Sequence, residues 1–444
     1  MQAHPKGAKT GRNPQIRLDN DQDWQRLLSL LPPAAELEAE ARRTGALVRR
    51  RKIPSASMLL RLICVYTLLC LSLGETAAWA ARAFELRLSD SALDYRFGHA
   101  AGWLEHLVAQ ALQARVQEPA AHGVALRLID ATVLTEPGSN GTDWRLHLTY
   151  DPAAQRIVGV ELTDGHGGEH VARAAGRAGD LVVGDRIYGH ASDVRNATAR
   201  QLQYLFRAHL QSLAVADSQG QRLEPTALMD AADAGRFEHE VTLPERGHEA
   251  VQSRLVLVPV SPEQAGRARQ QLRKNATKKG KTPSALTLRL AGYFCCITSL
   301  TAEQASVEAV LSWYRLRWQV ELVFKRCKSL LHLDKLAKAR RQLIALQVWA
   351  RLLVAILVER LGALTRAADP CALSSPPLSL WHLTRIHWLD VVLVIYGGSG
   401  LQERLEAADI TAPLLHERPR RKRRWAIEIL ARFLQDMGSP RGTG

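Results

Sequence analysis

Zinc-binding spacing is missing from this chain. Its cysteines are Cys64, Cys70, Cys295, Cys296, Cys327 and Cys371, and none forms a C-x-x-C pair with a second pair or a nearby histidine. No structural zinc is implied, and because most of them sit among apolar residues they read as reduced, buried thiols. Long apolar runs are missing too. The longest, Leu62–Leu73 and Leu352–Val358, are too short to span a bilayer and are bounded by charge. The first fifteen residues are polar and basic with no apolar core, so no signal peptide is expected and the location is expected to be cytoplasmic. Acids are the scarcer charge, 44 Asp and Glu against 59 Lys and Arg. The resulting net charge of +15 favours an anionic partner, with nucleic acid the first candidate and a membrane surface the second. With 46% hydrophobic and 23% charged residues, the 444-residue chain is globular and long enough for several domains.

The chain changes character along its length. Residues 1–20 form a basic Gly/Pro-containing tail, and Asp23 to about Gln113 is patterned as helices. Within that stretch Ser55 or Ser57 is placed to cap the helix of Met58–Leu73, which Gly74 should end. Glu75–Phe84 and Ser89–Phe97 then read as two short helices. Together with the basic run Arg49-Arg50-Arg51-Lys52 they suit a DNA-reading unit, although any small helical domain has the same outline. Strand patterning begins near residue 122. Val124–Ile129 ends in Asp130, Trp144–Tyr150 and Arg156–Leu162 follow as a meander, and Leu181–Gly184 ends in Asp185. Helices are expected over His170–Arg177 and His190–Arg200, with another strand over Tyr204–Ala208. This is an α/β pattern with a mixed sheet. Phe237–Leu243, Arg254–Val260 and Thr287–Ile297 read as further strands, with the basic stretch Arg267–Lys281 between the last two. The remainder is helical and ends in the basic cluster Arg418–Arg424 and a final helix.

The stretch that holds the most chemistry is Ser312–Leu336, which reads as one uninterrupted helix. At about 100° per residue, Tyr314, Arg317, Glu321 and Lys328 share one face, opposite Leu316, Val323 and Cys327. A carboxylate flanked by cations suits a metal beside a phosphate: the acid ligates the metal and the cations hold phosphate oxygens. The plainer reading is an i,i+4 surface ion pair between Arg317 and Glu321 with a solvated lysine. Two strand-end acids, Asp130 and Asp185, strengthen the first reading. In a ribonuclease H-like sheet the first and fourth strands are neighbours, so these acids and Glu321 can converge on two Mg²⁺ ions. Asp143, Asp151, Asp164 and Asp180 compete for the role, but the second and third sit in turns and Asp180 enters its strand from the wrong end. His166-Gly167-Gly168-Glu169-His170 matches the letters of a zinc peptidase motif. Its Gly-Gly disfavours the helix that this chemistry needs, by roughly 2 kcal/mol, and Glu169 reads as a helix start.

Tyr314-x-x-Arg317-x-x-x-Glu321-x-x-x-x-x-x-Lys328 resembles the Y-R-E-K signature of a large group of bacterial insertion-sequence transposases of the D-D-E class. LRLIDATVL around Asp130 and LVVGDRIYG around Asp185 resemble the group's first and second aspartate motifs, and the likeness spans roughly residues 25 to 360. Ile187 departs from the pattern, which usually has Gly or Ala there. The resemblance implies a ribonuclease H-like fold interrupted by a β-rich insertion. The regions would be a helical DNA-binding part (1–115), a split catalytic domain (116–210 and 301–365), the insertion (211–300) and a basic helical C-terminal part (366–444). It implies Asp130, Asp185 and Glu321 as catalytic ligands of two Mg²⁺, with Mn²⁺ able to substitute. DNA contacts fall to Tyr314, Arg317, Lys328 and, on the same face, Lys325. The implied partner is double-stranded DNA, as element ends and target, bound by a homodimer associated with the nucleoid, with no role for a membrane. A non-catalytic DNA-binding derivative and a metal-dependent nuclease are the alternatives.

Overall fold

The computed structural model describes residues 21–31, 34–48, 52–118, 124–244, 250–369, 377–416 and 421–438. The chain divides into two compact units, one of residues 1–111 and 326–418, the other of residues 112–325 and 419–444.

The second unit is built on an eight-stranded mixed sheet of order β3-β2-β1-β4-β5-β8-β7-β6. Its strands are β1 (Leu126–Leu134), β2 (Trp144–Asp151), β3 (Arg156–Asp164), β4 (Leu181–Gly184), β5 (Gln203–Arg207), β6 (Glu238–Leu243), β7 (Val251–Pro259) and β8 (Tyr293–Thr298). β1, β2 and β3 form the expected antiparallel meander, and β4 lies parallel to both β1 and β5. This is the ribonuclease H-like arrangement, with the first and fourth strands side by side. β4 is buried throughout, as its unbroken apolar sequence requires of a strand covered on both faces. Val182, Phe206, Leu255 and Ile297 belong to one continuous core with Val194 and Ala197 of the helix Ala191–Ala199.

β8 pairs with β5, and β7 and β6 follow, so the strands beyond residue 211 extend the same sheet. Three helices accompany them, Pro225–Asp233, Pro262–Thr277 and Ala285–Leu290. The strand expected from Thr287 therefore begins only at Tyr293: Ser284 caps a short helix by accepting the Thr287 N–H at 3.1 Å. The helix expected over His170–Arg177 is a single 3-10 turn, Val171–Arg173. Past residue 419 the helix Arg421–Gly438 returns to this unit, and Phe433 packs edge-on against Trp313 with ring centroids 5.1 Å apart.

The first unit is helical. Ser55 caps the helix Ala56–Leu68, but Gly74 does not end it. That helix closes before Cys70, which takes a left-handed φ of 52°, and Gly74 lies inside the next helix, Leu73–Phe84, started by a Ser72/Glu75 capping box. A Cβ at Gly74 would come within 3.2 Å of Asp90, so glycine admits the close approach of the following helix. That helix is not short: it runs unbroken from Asp90 to Gln117, so the expected pair of short helices is one short and one long. The core of the unit is the helix Arg341–Ala367, long and apolar enough to cross a membrane by composition, yet 83% buried over its most apolar window. Arg61, with no exposure, donates to Val394 and Ile395 carbonyls at 2.8 Å and so satisfies the end of the helix Leu380–Ile395. Arg49–Arg51, most of the linker 370–376 and the side chains of Arg421–Arg424 lie outside the described residues.

Candidate active site

β1 does not stop at Asp130. It continues to Leu134, and Asp130 pairs with Leu148 of β2. What stops is the pairing with β4, last seen at Leu128 and Val183. The β1–β4 register leads toward Asp130 and Asp185, and the charge of Asp185 is among those acting on the Asp130 carboxyl. Asp185 directly follows β4 and starts the 3-10 turn Arg186–Tyr188, its Oδ1 accepting the Ile187 N–H at 2.8 Å. The departure at Ile187 therefore leaves the turn intact: it uses the backbone of residue 187, and the side chain points outward, 46% exposed. Gly189 is where space is short, since a Cβ there would lie 2.1 Å from the Arg207 carbonyl oxygen of β5.

Ser312–Leu336 is two helices, Val307–Arg315 and Trp318–Leu330. Between them Leu316 and Arg317 form a tight turn, with i,i+3 bonds from Arg317 N–H to Tyr314 and from Val320 N–H to Arg317, each 3.1 Å. His332, at φ 53°, follows the second helix, and Leu333 N–H bonds back to Cys327. The turn swings Arg317 over the sheet. Its Nη2 donates to Glu321 Oε1 at 2.5 Å and its Nη1 stands 3.6 Å from Asp130 Oδ2. One guanidinium thus reaches the helix acid and the strand acid together, with only 17% of its side chain exposed.

Burial pushes the Asp130 carboxyl up to about 7; the Ala131 N–H and Arg317 oppose this, and the neighbouring charges of Asp185 and Glu169 add to it. The carboxyl of Glu169 is itself raised by burial, against the pull of Arg145. Glu169 is thus a fourth acid in the field of Asp130 and Asp185, and sequence reasoning had taken it only for a helix start. Tyr314 packs on Phe294 at 4.9 Å, and the guanidinium of Arg207 lies over the same Phe294 ring at 5.6 Å. Burial raises the Tyr314 phenol, and both Arg317 and Arg207 lower it. Arg207, at the end of β5, is a cation that no motif had singled out. Trp318 is 55% exposed directly after Arg317, an uncovered ring of the kind that stacks on bases. Lys325 is exposed one turn beyond Glu321, and Lys328 is half-buried nearly two turns beyond it in the same helix.

The competing acids are all engaged elsewhere. Asp151 and Asp180 clasp the buried Arg127 at 2.8 and 2.9 Å. Asp143 accepts the Glu136 N–H and the Ser139 hydroxyl, and Asp164 accepts the His166 N–H. His166–His170 is not helical, as the Gly-Gly pair dictates. Among the described residues no three His, Cys, Asp or Glu side chains converge closely enough to share one metal ion. The donor set at Asp130, Asp185 and Glu321 nevertheless fits a hard divalent cation. All its donors are carboxylate oxygens, and a divalent cation would favour the ionised form of Asp130 that burial disfavours.

Residues 125–357 match the family described as the transposase DDE domain. The chain is 36% identical over 344 residues to the putative transposase InsL of insertion sequence element IS186A from Escherichia coli (strain K12), covering 76% of this chain and 93% of that protein. It is 35% identical over 345 residues to the transposase of insertion sequence element IS421 from Escherichia coli, with the same coverage. The transposase of insertion sequence element IS231E from Bacillus thuringiensis subsp. finitimus is 22% identical over 310 residues, 61% of this chain and 65% of its own length.

Proposed function

The chain belongs to the DDE transposases of bacterial insertion sequences, and from that premise we propose that Asp130, Asp185 and Glu321 are its catalytic acids. The observation that carries this reading is the Arg317 guanidinium, which reaches Asp130 and Glu321 together, while the charge of Asp185, just past the end of β4, also acts on Asp130. The three acids would hold two Mg²⁺, or Mn²⁺ in their place, and bound there the ions would supply activation of a water or 3′-hydroxyl and neutralisation of charge on the leaving oxygen. The residues of the chain supply position. Arg317, with its planar fork, would grip a phosphate next to the scissile one, and Lys328 and Lys325 would hold phosphates further along the strand. Tyr314 would donate its hydroxyl to a phosphate oxygen, supported from behind by Phe294. No side-chain nucleophile is assigned, because in-line displacement needs no covalent protein intermediate.

The substrate we assign is double-stranded DNA, first at the ends of the element and then at the target, held by a homodimer in the cytoplasm at the nucleoid. The helical region 1–115 and the basic region 366–444 would bind the ends, and the strands and helices of 211–300, which carry exposed Arg273, Lys274, Lys278 and Lys279, would follow the DNA. The test is cleavage of a duplex carrying the sequences that border the coding region. Asp130→Asn, Asp185→Asn and Glu321→Gln should each abolish Mg²⁺-dependent cutting while leaving the duplex bound. Near-native cutting by any of them removes that residue from the site.

A further inference from the structure

We propose that Arg317 is a stand-in cation which occupies the acidic site before metal does, and that a DNA phosphate must withdraw it before the site loads. This rests on the assignment of Asp130 and Glu321 as metal ligands. A phosphate anchor needs to face outward toward the strand, yet this guanidinium is turned inward, 2.5 Å from Glu321 Oε1 and 3.6 Å from Asp130 Oδ2. It is mostly buried there, with 17% of the side chain exposed, so the contact is little screened. Arg317 sits in the turn between the two helices, beside Tyr314 as well as the two acids.

The consequence is a competition for the same carboxylate oxygens. A divalent cation can bind Asp130 and Glu321 only in the fraction of molecules whose guanidinium has moved away. Apparent metal affinity is lowered by that fraction. A DNA phosphate carries one negative charge, as a carboxylate does, and offers the guanidinium a bidentate partner. Bound DNA therefore removes the competitor and supplies Arg317 with its working position in one step. By reciprocity, metal binding should strengthen the grip on DNA to the same degree. Without DNA the acids remain neutralised by Arg317, which keeps the protein from loading metal and cutting at random.

The experiment is Mn²⁺ binding by the full chain, followed by electron paramagnetic resonance without any cleavage readout. In the absence of DNA, Arg317→Gln should bind Mn²⁺ on the order of tenfold more tightly than wild type, corresponding to a guanidinium that is in place about nine-tenths of the time. Arg317→Lys keeps the charge and should stay close to wild type, which separates competition from a general change of fold. Adding a duplex with the bordering sequences should raise wild-type affinity by a larger factor than it raises that of Arg317→Gln, because only the wild type also loses a competitor. Equal or weaker binding by Arg317→Gln, or a wild-type affinity indifferent to the duplex, overturns the proposal. Asp130→Asn is the control for the underlying assignment: if it binds Mn²⁺ as wild type does, the metal site itself is misplaced and the stand-in role falls with it.

Discussion

Arg317 and Glu321 are joined at 2.5 Å, but their pair is not the ordinary helix-surface bridge that an i,i+4 spacing suggests. The arginine is outside the helix that carries the glutamate, in the turn before it, and its other nitrogen faces Asp130 on the central strand at 3.6 Å. An exposed i,i+4 pair contributes about 0.3–0.5 kcal/mol to a helix. A largely buried guanidinium between two acids does something else: it neutralises a site that would otherwise repel itself.

Burial of the Asp130 carboxyl gives stability a pH dependence. Folding raises the Asp130 carboxyl from 3.8 to about 7, chiefly by burial. Between those values the unfolded chain has released a proton that the folded chain still holds. Without metal, stability is therefore greatest below about pH 4, falls as pH rises to about 7, and is flat beyond it with respect to this group. Asp130→Asn should be more stable than wild type at pH 8, by on the order of 2 kcal/mol, with the gap closing toward pH 4. Urea unfolding in chelator at several pH values measures this, and a gap independent of pH would contradict it.

The basic excess should appear as salt dependence. Affinity for duplex DNA should fall steeply between roughly 50 and 200 mM salt, because each neutralised phosphate releases counterions. Charge reversal at Arg49–Lys52, at Arg418–Arg424, or at the exposed Arg273, Lys274, Lys278 and Lys279 should flatten log K against log salt. A shallow wild-type slope would assign the charge to something other than phosphate.

Much of this architecture was legible in the sequence. Strand boundaries near Asp185 follow from a four-residue apolar run closed by Gly-Asp, and the meander follows from alternation between turns. Asp151 and Asp164 could be set aside because they sit in turn sequences, and both have other partners. Tertiary context hid the rest. The turn at Leu316-Arg317 has neither Gly nor Pro to announce it, so helical periodicity ran straight through. β1 runs beyond Asp130 because β2 continues to pair with it after β4 has stopped, a difference that no local pattern records. Thr287–Leu290 has the β-branched and apolar composition of a strand, but a Ser284 cap makes it helical. Gly74 looked like a breaker because its reason, close contact with Asp90, lies on another helix.

If Arg317 and Lys328 hold phosphates as proposed, they should govern rate. Removing one lets the strand drift, and a misplacement of about 1 Å can cost on the order of 10²-fold. Arg317→Ala and Lys328→Ala should therefore cut a pre-bound end slowly at saturating Mg²⁺. Arg317→Lys should recover only part of the rate, because an ammonium lacks the bidentate fork. Single-turnover cleavage at wild-type rate in both alanine variants would make these cations bystanders.

The turn after Asp185 offers the sharpest contrast between two neighbouring positions. Ile187 contributes its N–H to Asp185 Oδ1 at 2.8 Å while its side chain is exposed. Ile187→Ala keeps that N–H and touches no core, so cleavage and stability should stay near wild type, within about 0.5 kcal/mol. Gly189 is different. A methyl group there would stand 2.1 Å from the Arg207 carbonyl oxygen, and a backbone atom of a central strand cannot yield as a side-chain tip can. The turn must move instead, and Asp185 opens that turn with an N–H from inside it. Gly189→Ala should therefore shift the Asp185 carboxylate away from Asp130, cutting cleavage by at least about 10²-fold. DNA binding at low salt should persist. Equal cleavage by Gly189→Ala and Ile187→Ala would mean that the turn does not position the second acid.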